Sequence, residues 1–112
     1  MYFARVGRVI VLLLSKDPNE AAAYLEAAIE DSDQGVLMLA LRHVALARGG
    51  VAEIARRSQL TREATYRMLS ESGNPELKGL TALLAAAGLR LSVRPITAAK
   101  VVRSLRRHSV AA

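Results

Sequence analysis

The stretch GVAEIARRSQLTREATYRML, residues 50–69, decides the fold of this chain. The spacing of its apolar residues indicates two short helices, and Gln59-Leu60 between them forms a tight turn that is followed by the cap residue Thr61. We therefore predict one helix from Val51 to Ser58 and a second from Arg62 to about Ser70. Two helices joined by so short a turn form a helix-turn-helix.

The packing of this motif explains its residue types. Ala55 is small because the two helices cross there at close range. Ile54 and Leu60 fill the angle between the helices, and Leu69 anchors the second helix to the core. The Thr61 hydroxyl is placed to cap the second helix by accepting a hydrogen bond from a backbone amide of its first turn.

In a helix-turn-helix the second helix lies in the major groove of double-stranded DNA. On a period of 3.6 residues its outward positions are Arg62, Glu63, Tyr66 and Arg67, with Thr61 at its start. Arg62 is suited to a bidentate bond with guanine, and Glu63 to accepting a bond from cytosine or orienting an arginine. Tyr66 and Arg67 can hold phosphates. The alternative is an ordinary helical corner with a solvated charged face.

Composition favours one globular, intracellular domain. The 112 residues are 52% hydrophobic and 23% charged, and there are no cysteines. The chain therefore has no disulfide, thiolate zinc site or cysteine nucleophile. The histidines, His43 and His108, are far apart, so we expect no metal site and no cofactor. The apolar run Val9–Leu14 is too short for a membrane span, and we expect a cytoplasmic protein without a membrane partner.

Charge is unevenly distributed along the chain. Residues 1–34 carry three basic and six acidic side chains, whereas residues 35–112 carry 13 basic and four acidic ones. A basic body suits a polyanionic partner because lysine and arginine release counterions from a phosphate backbone. A basic surface that serves only solubility is the alternative.

Outside the central motif the sequence predicts two β segments. Residues 2–14 contain the β-branched run Val9-Ile10-Val11 and are interpreted as a hairpin or one long strand. Residues 89–94 alternate apolar and basic side chains, as in a half-exposed strand. A lone strand is not stable, so residues 89–94 must pair with the N-terminal segment or with their copy in a second chain.

Helices are predicted between these segments. One begins at Pro18 with Asp17 as its cap and carries an apolar stripe that includes Ile29. Another follows the break at residues 31–33 and ends at Gly49-Gly50. A last helix begins at Asn74-Pro75 and ends at Gly88, which suits a left-handed terminator. Residues 96–112 form a marginal helix or a disordered basic tail.

Several groups of residues accompany the helix-turn-helix: Ala23-Tyr24-Leu25 with Ala28 and Glu30-Asp31, Leu60-Thr61-Arg62-Glu63 with Tyr66 and Leu69-Ser70, Gly73-Asn74-Pro75, and Gly88-Leu89-Arg90-Leu91-Ser92-Val93 with Pro95. With them, the chain from about Asp17 to Pro95 resembles the HigA-like antidote proteins of type II toxin–antitoxin modules, in the lambda-repressor-like group. The resemblance implies a mainly α helical bundle, a homodimer, binding to the operator of its own operon, and neutralisation of a partner ribonuclease toxin.

The chain departs from this family pattern at three places. Thr65 stands where the family usually has a bulky aliphatic residue, and its buried hydroxyl can bond to the preceding turn. Gln59 stands where the family usually has glycine. Residues 2–14 resemble the closing strands of the partner RelE-like toxin, and an ordinary dimerising strand is the alternative.

These observations divide the chain into an N-terminal β segment at 1–16, a helix-turn-helix antidote domain at 17–95 and a basic tail at 96–112. The leading hypothesis is a sequence-specific DNA-binding antitoxin that represses its own operon as a dimer. The alternative is a protein-interaction module that neutralises a toxin without reading DNA. An enzyme is not expected, because Arg5 and Arg8 alone do not provide a general acid and base in the N-terminal segment.

Overall fold

The computed structural model describes residues 2–97, which contain helices and no strand. The helices are α1 (Tyr2–Lys16), α2 (Pro18–Glu30), α3 (Gln34–Ala47), α4 (Val51–Ser58), α5 (Arg62–Met68) and α6 (Leu77–Ala86). The predicted mainly α fold is confirmed for this part of the chain. The short β segments predicted at residues 2–14 and 89–94 are not present in it.

The N-terminal β prediction is wrong because residues 2–14 belong to helix α1. Gly7, Ile10, Val11 and Leu14 recur at helical spacing, and they are the partly or fully buried positions among residues 5–16. They face the neighbouring helices, since α1 packs against α3 and α2. Packing of this apolar face outweighs the β propensity of Val9-Ile10-Val11, which is a weak and context-dependent preference.

Two aspartates cap the next two helices: Asp17, as predicted, and Asp33, which lies in the predicted break at residues 31–33. The Asp17 carboxylate accepts a hydrogen bond from the Asn19 amide at 2.8 Å, with Pro18 in the first turn. The Asp33 carboxylate accepts one from the Gly35 amide at 2.8 Å. Each cap satisfies an amide that the helix itself leaves unpaired.

Two glycines separate α3 from α4. Gly49 has φ 128° and Gly50 has φ 92°, and the Gly50 amide donates to the Ala45 carbonyl at 2.9 Å. This closing bond ends α3 in a Schellman motif. No single helix within residues 2–97 is long and apolar enough to cross a membrane; α3 and α4 reach that length only together, and they are bent by 87°.

Helix α6 begins later than predicted. Asn74 and Pro75 precede it in an irregular segment, and its first residue is Leu77, with Glu76 at the N-cap position. The predicted end is confirmed, since Gly88 has φ 83° and the Leu89 amide donates to the Leu84 carbonyl at 2.8 Å.

One hydrophobic core joins the helices. Its largest fully buried apolar side chains are Met38 and Val44 from α3, Ile54 from α4 and Leu83 from α6. The predicted apolar stripe of α2 is only partly correct, because Ile29 is exposed. The buried side of α2 carries Ala21, Leu25 and Ala28, and Ile29 lies outside it.

The segment after α6 is extended without being a strand. Leu89 packs against the core, whereas Val93 is 98% exposed. Arg94 forms an ion pair with Glu26 of α2 at 2.9 Å, which holds the segment beside that helix. The predicted N-terminal pairing partner does not exist, because that region is helix α1. The basic tail from residue 98 onward, with His108, lies outside the described residues.

Candidate nucleic-acid interface

The turn between α4 and α5 is short because Gln59 adopts a left-handed conformation, with φ 61° and ψ 26°. Among residues 2–97, Gln59 is the one residue other than glycine that has a positive φ. The Leu60 amide donates to the Ala55 carbonyl at 3.1 Å, which closes a Schellman motif around Gln59. We call helices α4 and α5 and this turn, residues 51–68, the α4–α5 corner.

Threonines organise the start of α5. The Thr61 Oγ1 accepts a hydrogen bond from the Ala64 amide at 3.0 Å, as predicted for the cap. One turn later the Thr65 hydroxyl donates to the Thr61 carbonyl at 2.8 Å. Thr65 is completely buried, so this bond satisfies a hydroxyl that would otherwise lack a partner in the core.

The apolar residues of the corner lie where the sequence predicts. Ile54 and Ala55 are buried, Leu60 is partly buried, and Leu69, directly after the corner, is buried as well. Arg42 of α3 donates from Nη1 to the Leu69 carbonyl at 2.9 Å and so holds the C-terminal end of α5. A cation at this end of a helix is favourable because the last carbonyls are unpaired.

The predicted contact residues of α5 are all exposed: Thr61, Arg62, Glu63, Tyr66 and Arg67. Positions 62, 63, 66 and 67 share one side of a helix, because residues three and four apart are neighbours on its surface. The opposite side carries Thr65 and faces the core. Helix α5 therefore presents two arginines, a glutamate and a tyrosine that is 55% exposed on one outer surface.

A cluster of charges lies on the outer side of α4. The Glu53 carboxylate accepts hydrogen bonds from Arg56 Nε at 2.9 Å and from Arg57 Nε at 3.0 Å. The hydrogen bond from Arg56, with the further attraction of both guanidinium groups, lowers the pKa of Glu53 from 4.5 to about 2. Arg56 is thus already paired before any ligand is bound.

Two arginines that sequence reasoning did not single out join the ends of three helices. Arg57 Nη1 donates to the Arg48 carbonyl at 3.0 Å and to the Ala86 carbonyl at 3.2 Å. Arg48 Nε donates to the Ala87 carbonyl at 2.9 Å. The signal available in the sequence was an arginine within a turn of each helix end, where cations meet unpaired carbonyls.

A shallow cleft of about 360 Å³ lies between the end of α4 and α6. It is lined by Arg57, Ser58, Gln59, Ala82, Ala85 and Ala86. Its walls are small side chains and one guanidinium group that already bonds to two carbonyls. The cleft contains no acid and base pair of the kind that general catalysis needs.

His43 forms an internal pair with Tyr24. The tyrosine hydroxyl lies 2.7 Å from His43 Nδ1 and links α2 to α3. Burial raises the pKa of Tyr24, and burial together with the nearby Arg42 charge lowers the pKa of His43. Within residues 2–97 no group of three or more histidine, aspartate or glutamate side chains is placed to hold a metal ion.

A family model for a probable addiction module antidote protein matches residues 12–95. Comparisons with curated proteins and with solved structures give no match. The matched range is three quarters of the chain and includes α2 to α6 with the α4–α5 corner. The chain therefore belongs to the family of probable addiction module antidote proteins.

Proposed function

We propose that this protein is a sequence-specific DNA-binding antitoxin that represses its own toxin–antitoxin operon as a cytoplasmic homodimer. The observation that carries the proposal is the exposed surface of α5 with Arg62, Glu63, Tyr66 and Arg67, in a chain of the antidote family. The family supports the antitoxin role and a toxin partner, and hence a regulatory rather than a catalytic protein. We take the toxin to be a ribonuclease of the kind that HigA-like antidotes neutralise.

DNA binding follows if the α4–α5 corner acts as a helix-turn-helix. Helix α5 then lies in the major groove, where Arg62 donates two hydrogen bonds to a guanine. Glu63 accepts from a cytosine amino group or orients Arg62. Tyr66 and Arg67 bind phosphates and fix the position of the helix. The Thr61 hydroxyl, which accepts the cap bond, still has a proton to donate to a phosphate oxygen.

The proposed dimer would match the symmetry of its operator. A two-fold dimer presents two α5 helices to two half-sites about one helical turn, roughly 34–36 Å, apart. The charge of +9 on residues 35–112 supports affinity for DNA of any sequence through counterion release. The exposed residues of α5 would add the sequence preference.

The proposal is tested by binding to DNA from the protein's own promoter and to unrelated DNA of equal length, over a series of salt concentrations. We expect a preference for the promoter at every salt concentration and weaker binding to both at high salt. Equal binding to both DNAs throughout the series would refute sequence-specific recognition.

The role of Arg62 is tested in the same assay with Arg62→Ala. Loss of a bidentate base contact should weaken promoter binding by about 1–3 kcal/mol and relax the preference at one base pair. The control is Lys78→Ala, which removes an exposed cation from α6 and should leave the base preference unchanged. Weakening of equal size on every sequence would instead assign Arg62 to a phosphate.

A second candidate function is toxin neutralisation without DNA reading. It is favoured by Gln59, a non-glycine residue at φ 61° in the turn that sets the angle of the corner. A backbone in this region is strained for a side chain with a Cβ atom. Co-purification with a small basic toxin, together with the absence of promoter preference, would support this function over repression.

A further inference from the structure

Helix α1 has an apolar outer face that remains exposed in the described part of the chain, residues 2–97. On the side away from the buried Leu14, Val9 is 55% exposed and Leu12 is 62% exposed. The exposed cations Arg5 and Lys16 flank them. Along the chain these four residues follow one another at spacings of four, three and four, which places all four on one stripe of the helix. Two large apolar side chains between two cations form a surface suited to a protein partner with acidic ends.

Helix α2 has an outer face with the complementary pattern. Ala23 and Ala27 are exposed in its middle, and the exposed acids Glu20 and Glu30 flank them. Spacings of three, four and three residues place this set on one stripe as well. Small side chains in the middle of the stripe leave room for the large ones of a facing helix.

The two stripes have matching lengths. At 1.5 Å per residue, Arg5 and Lys16 are separated by roughly 16 Å along α1, and Glu20 and Glu30 by roughly 15 Å along α2. Both ends of one stripe are basic and both ends of the other are acidic. Docking of α1 on α2 therefore brings Val9 and Leu12 onto the two alanines and each cation near an acid.

The two stripes of one chain cannot meet, because both are on the outer surface of adjacent helices joined through the single residue Asp17. Two α1 helices facing each other in opposite directions would bring Arg5 of one near Lys16 of the other. Like charges so placed repel. An α2 helix of another copy avoids this repulsion and supplies the acids.

We propose that α1 of each protomer docks on α2 of its partner across a two-fold axis, so that two α1–α2 hairpins form a four-helix bundle. The contact occurs twice, which is the property of an isologous interface. Arg5 and Val9 precede the range matched by the family model, so part of this interface lies outside the shared family region. This interface rests on the proposed function in one respect: it is the contact surface of the homodimer proposed there.

The test uses charge reversal in the full-length protein, followed by sedimentation velocity over a series of concentrations. One variant, acidic-α1, carries Arg5→Glu and Lys16→Glu. A second variant, basic-α2, carries Glu20→Lys and Glu30→Lys. We expect the wild-type protein to sediment as a dimer of its 12.1 kDa chain and each variant alone as a monomer.

Mixing the two variants gives the decisive result. In a mixed pair, both contacts join an acidic helix to a basic one, so we expect dimers to return in the mixture. A single chain with all four reversals should also dimerise. Helical circular dichroism and a cooperative urea transition show that each variant is folded; its urea midpoint is expected below that of the wild type, because dimerisation stabilises the folded state. Rescue by mixing cannot come from a general loss of folding.

Other outcomes overturn the proposal. The proposal is refuted if the wild-type protein is monomeric at every concentration. It is also refuted if either variant alone dimerises like the wild type, or if the mixture of the two variants stays monomeric. Val93→Asp is the matched control, since it alters an exposed apolar residue of segment 89–94 and should leave the dimer intact. Loss of the dimer in this variant would place the interface at that segment instead. Promoter preference is measured on the same samples, so failure of DNA recognition is seen separately from failure of the interface.

Discussion

The α4–α5 corner and helix α1 are both helical, but different interactions hold them. The corner is closed by local hydrogen bonds: the Leu60 amide bonds to Ala55, the Thr61 hydroxyl caps α5, and Thr65 bonds back to Thr61. Helix α1 instead depends on contacts distant in sequence, because its buried Leu14 and partly buried Ile10 lie on the side that packs against α3 and α2.

This difference separates two kinds of information in a sequence. A cap, a turn or a buried hydroxyl needs a partner only a few residues away, so the residue type itself indicates the structure. A helix held by tertiary packing takes its conformation from surfaces that do not exist until the chain has folded. The comparison predicts that substitutions in the corner and in α1 have unequal effects on stability.

The largest expected effect is at the centre of the corner. Ile54 is completely buried, so Ile54→Ala should lower the free energy of unfolding by about 2–5 kcal/mol. Leu13 of α1 is 58% exposed, and Leu13→Ala should change it by less than about 0.5 kcal/mol. Urea denaturation followed by circular dichroism measures both. Equal losses at the two sites would show that the exposed side of α1 is packed as tightly as the corner.

The same comparison explains what could be predicted from the sequence. The bounds of α4, the cap at Thr61, the inward position of Thr65 and the outward position of Arg62 all depend on neighbours within one or two turns. They were predicted and agree with the structure. The identity of the DNA surface stays a prediction.

What could not be predicted depends on long-range contacts. The β-branched run at Val9–Val11 favours a strand when read locally, but burial of Leu14 against other helices makes the region α1. An arginine near a helix end is a local signal, but it does not identify the carbonyls that Arg57 reaches, which belong to residues 9 and 29 positions away, Arg48 and Ala86. At Asn74-Pro75 the start signal was present, yet the helix begins two residues beyond the proline.

Gly73 follows the corner and is buried against the end of α5. A Cβ atom on Gly73 would collide with the Met68 backbone carbonyl, which cannot move aside as a side chain can. Gly73→Ala should therefore lower the free energy of unfolding by about 1–3 kcal/mol. The control is Gly79→Ala in α6, whose Cβ would meet only the flexible Met68 sulfur at 3.0 Å and where alanine favours the helix. Thermal unfolding distinguishes the two; a tolerated Gly73→Ala would show that the chain after α5 can shift.

The third prediction is a gain of stability within the turn. Gln59 has φ 61°, a conformation that glycine adopts without a steric penalty. Gln59→Gly should raise the free energy of unfolding by about 0.5–1 kcal/mol, the strain relieved less the entropy that glycine adds to the unfolded chain. Gln59→Ala keeps the Cβ atom and should give no gain. A destabilised glycine variant would mean that the glutamine side chain stabilises the corner by its own contacts.

The smallest expected effect concerns the exposed ion pairs of Glu53. Its pKa in the folded protein is about 2, below the ordinary value of 4.5, so the charged carboxylate stabilises the fold. This stabilisation is complete above pH 4.5 and is lost as the pH falls toward 2. Glu53→Gln should therefore have a lower urea midpoint than the wild type near neutral pH and the same midpoint near pH 2. The difference is small and decreases with added salt, because the pairs are solvent-exposed. The control is Glu71→Gln, which removes an exposed carboxylate outside the corner. If the urea midpoint of this variant showed the same pH dependence, the loss of stability would reflect the total charge of the protein. The ion pairs of Glu53 would then add nothing to the local bonds of the corner.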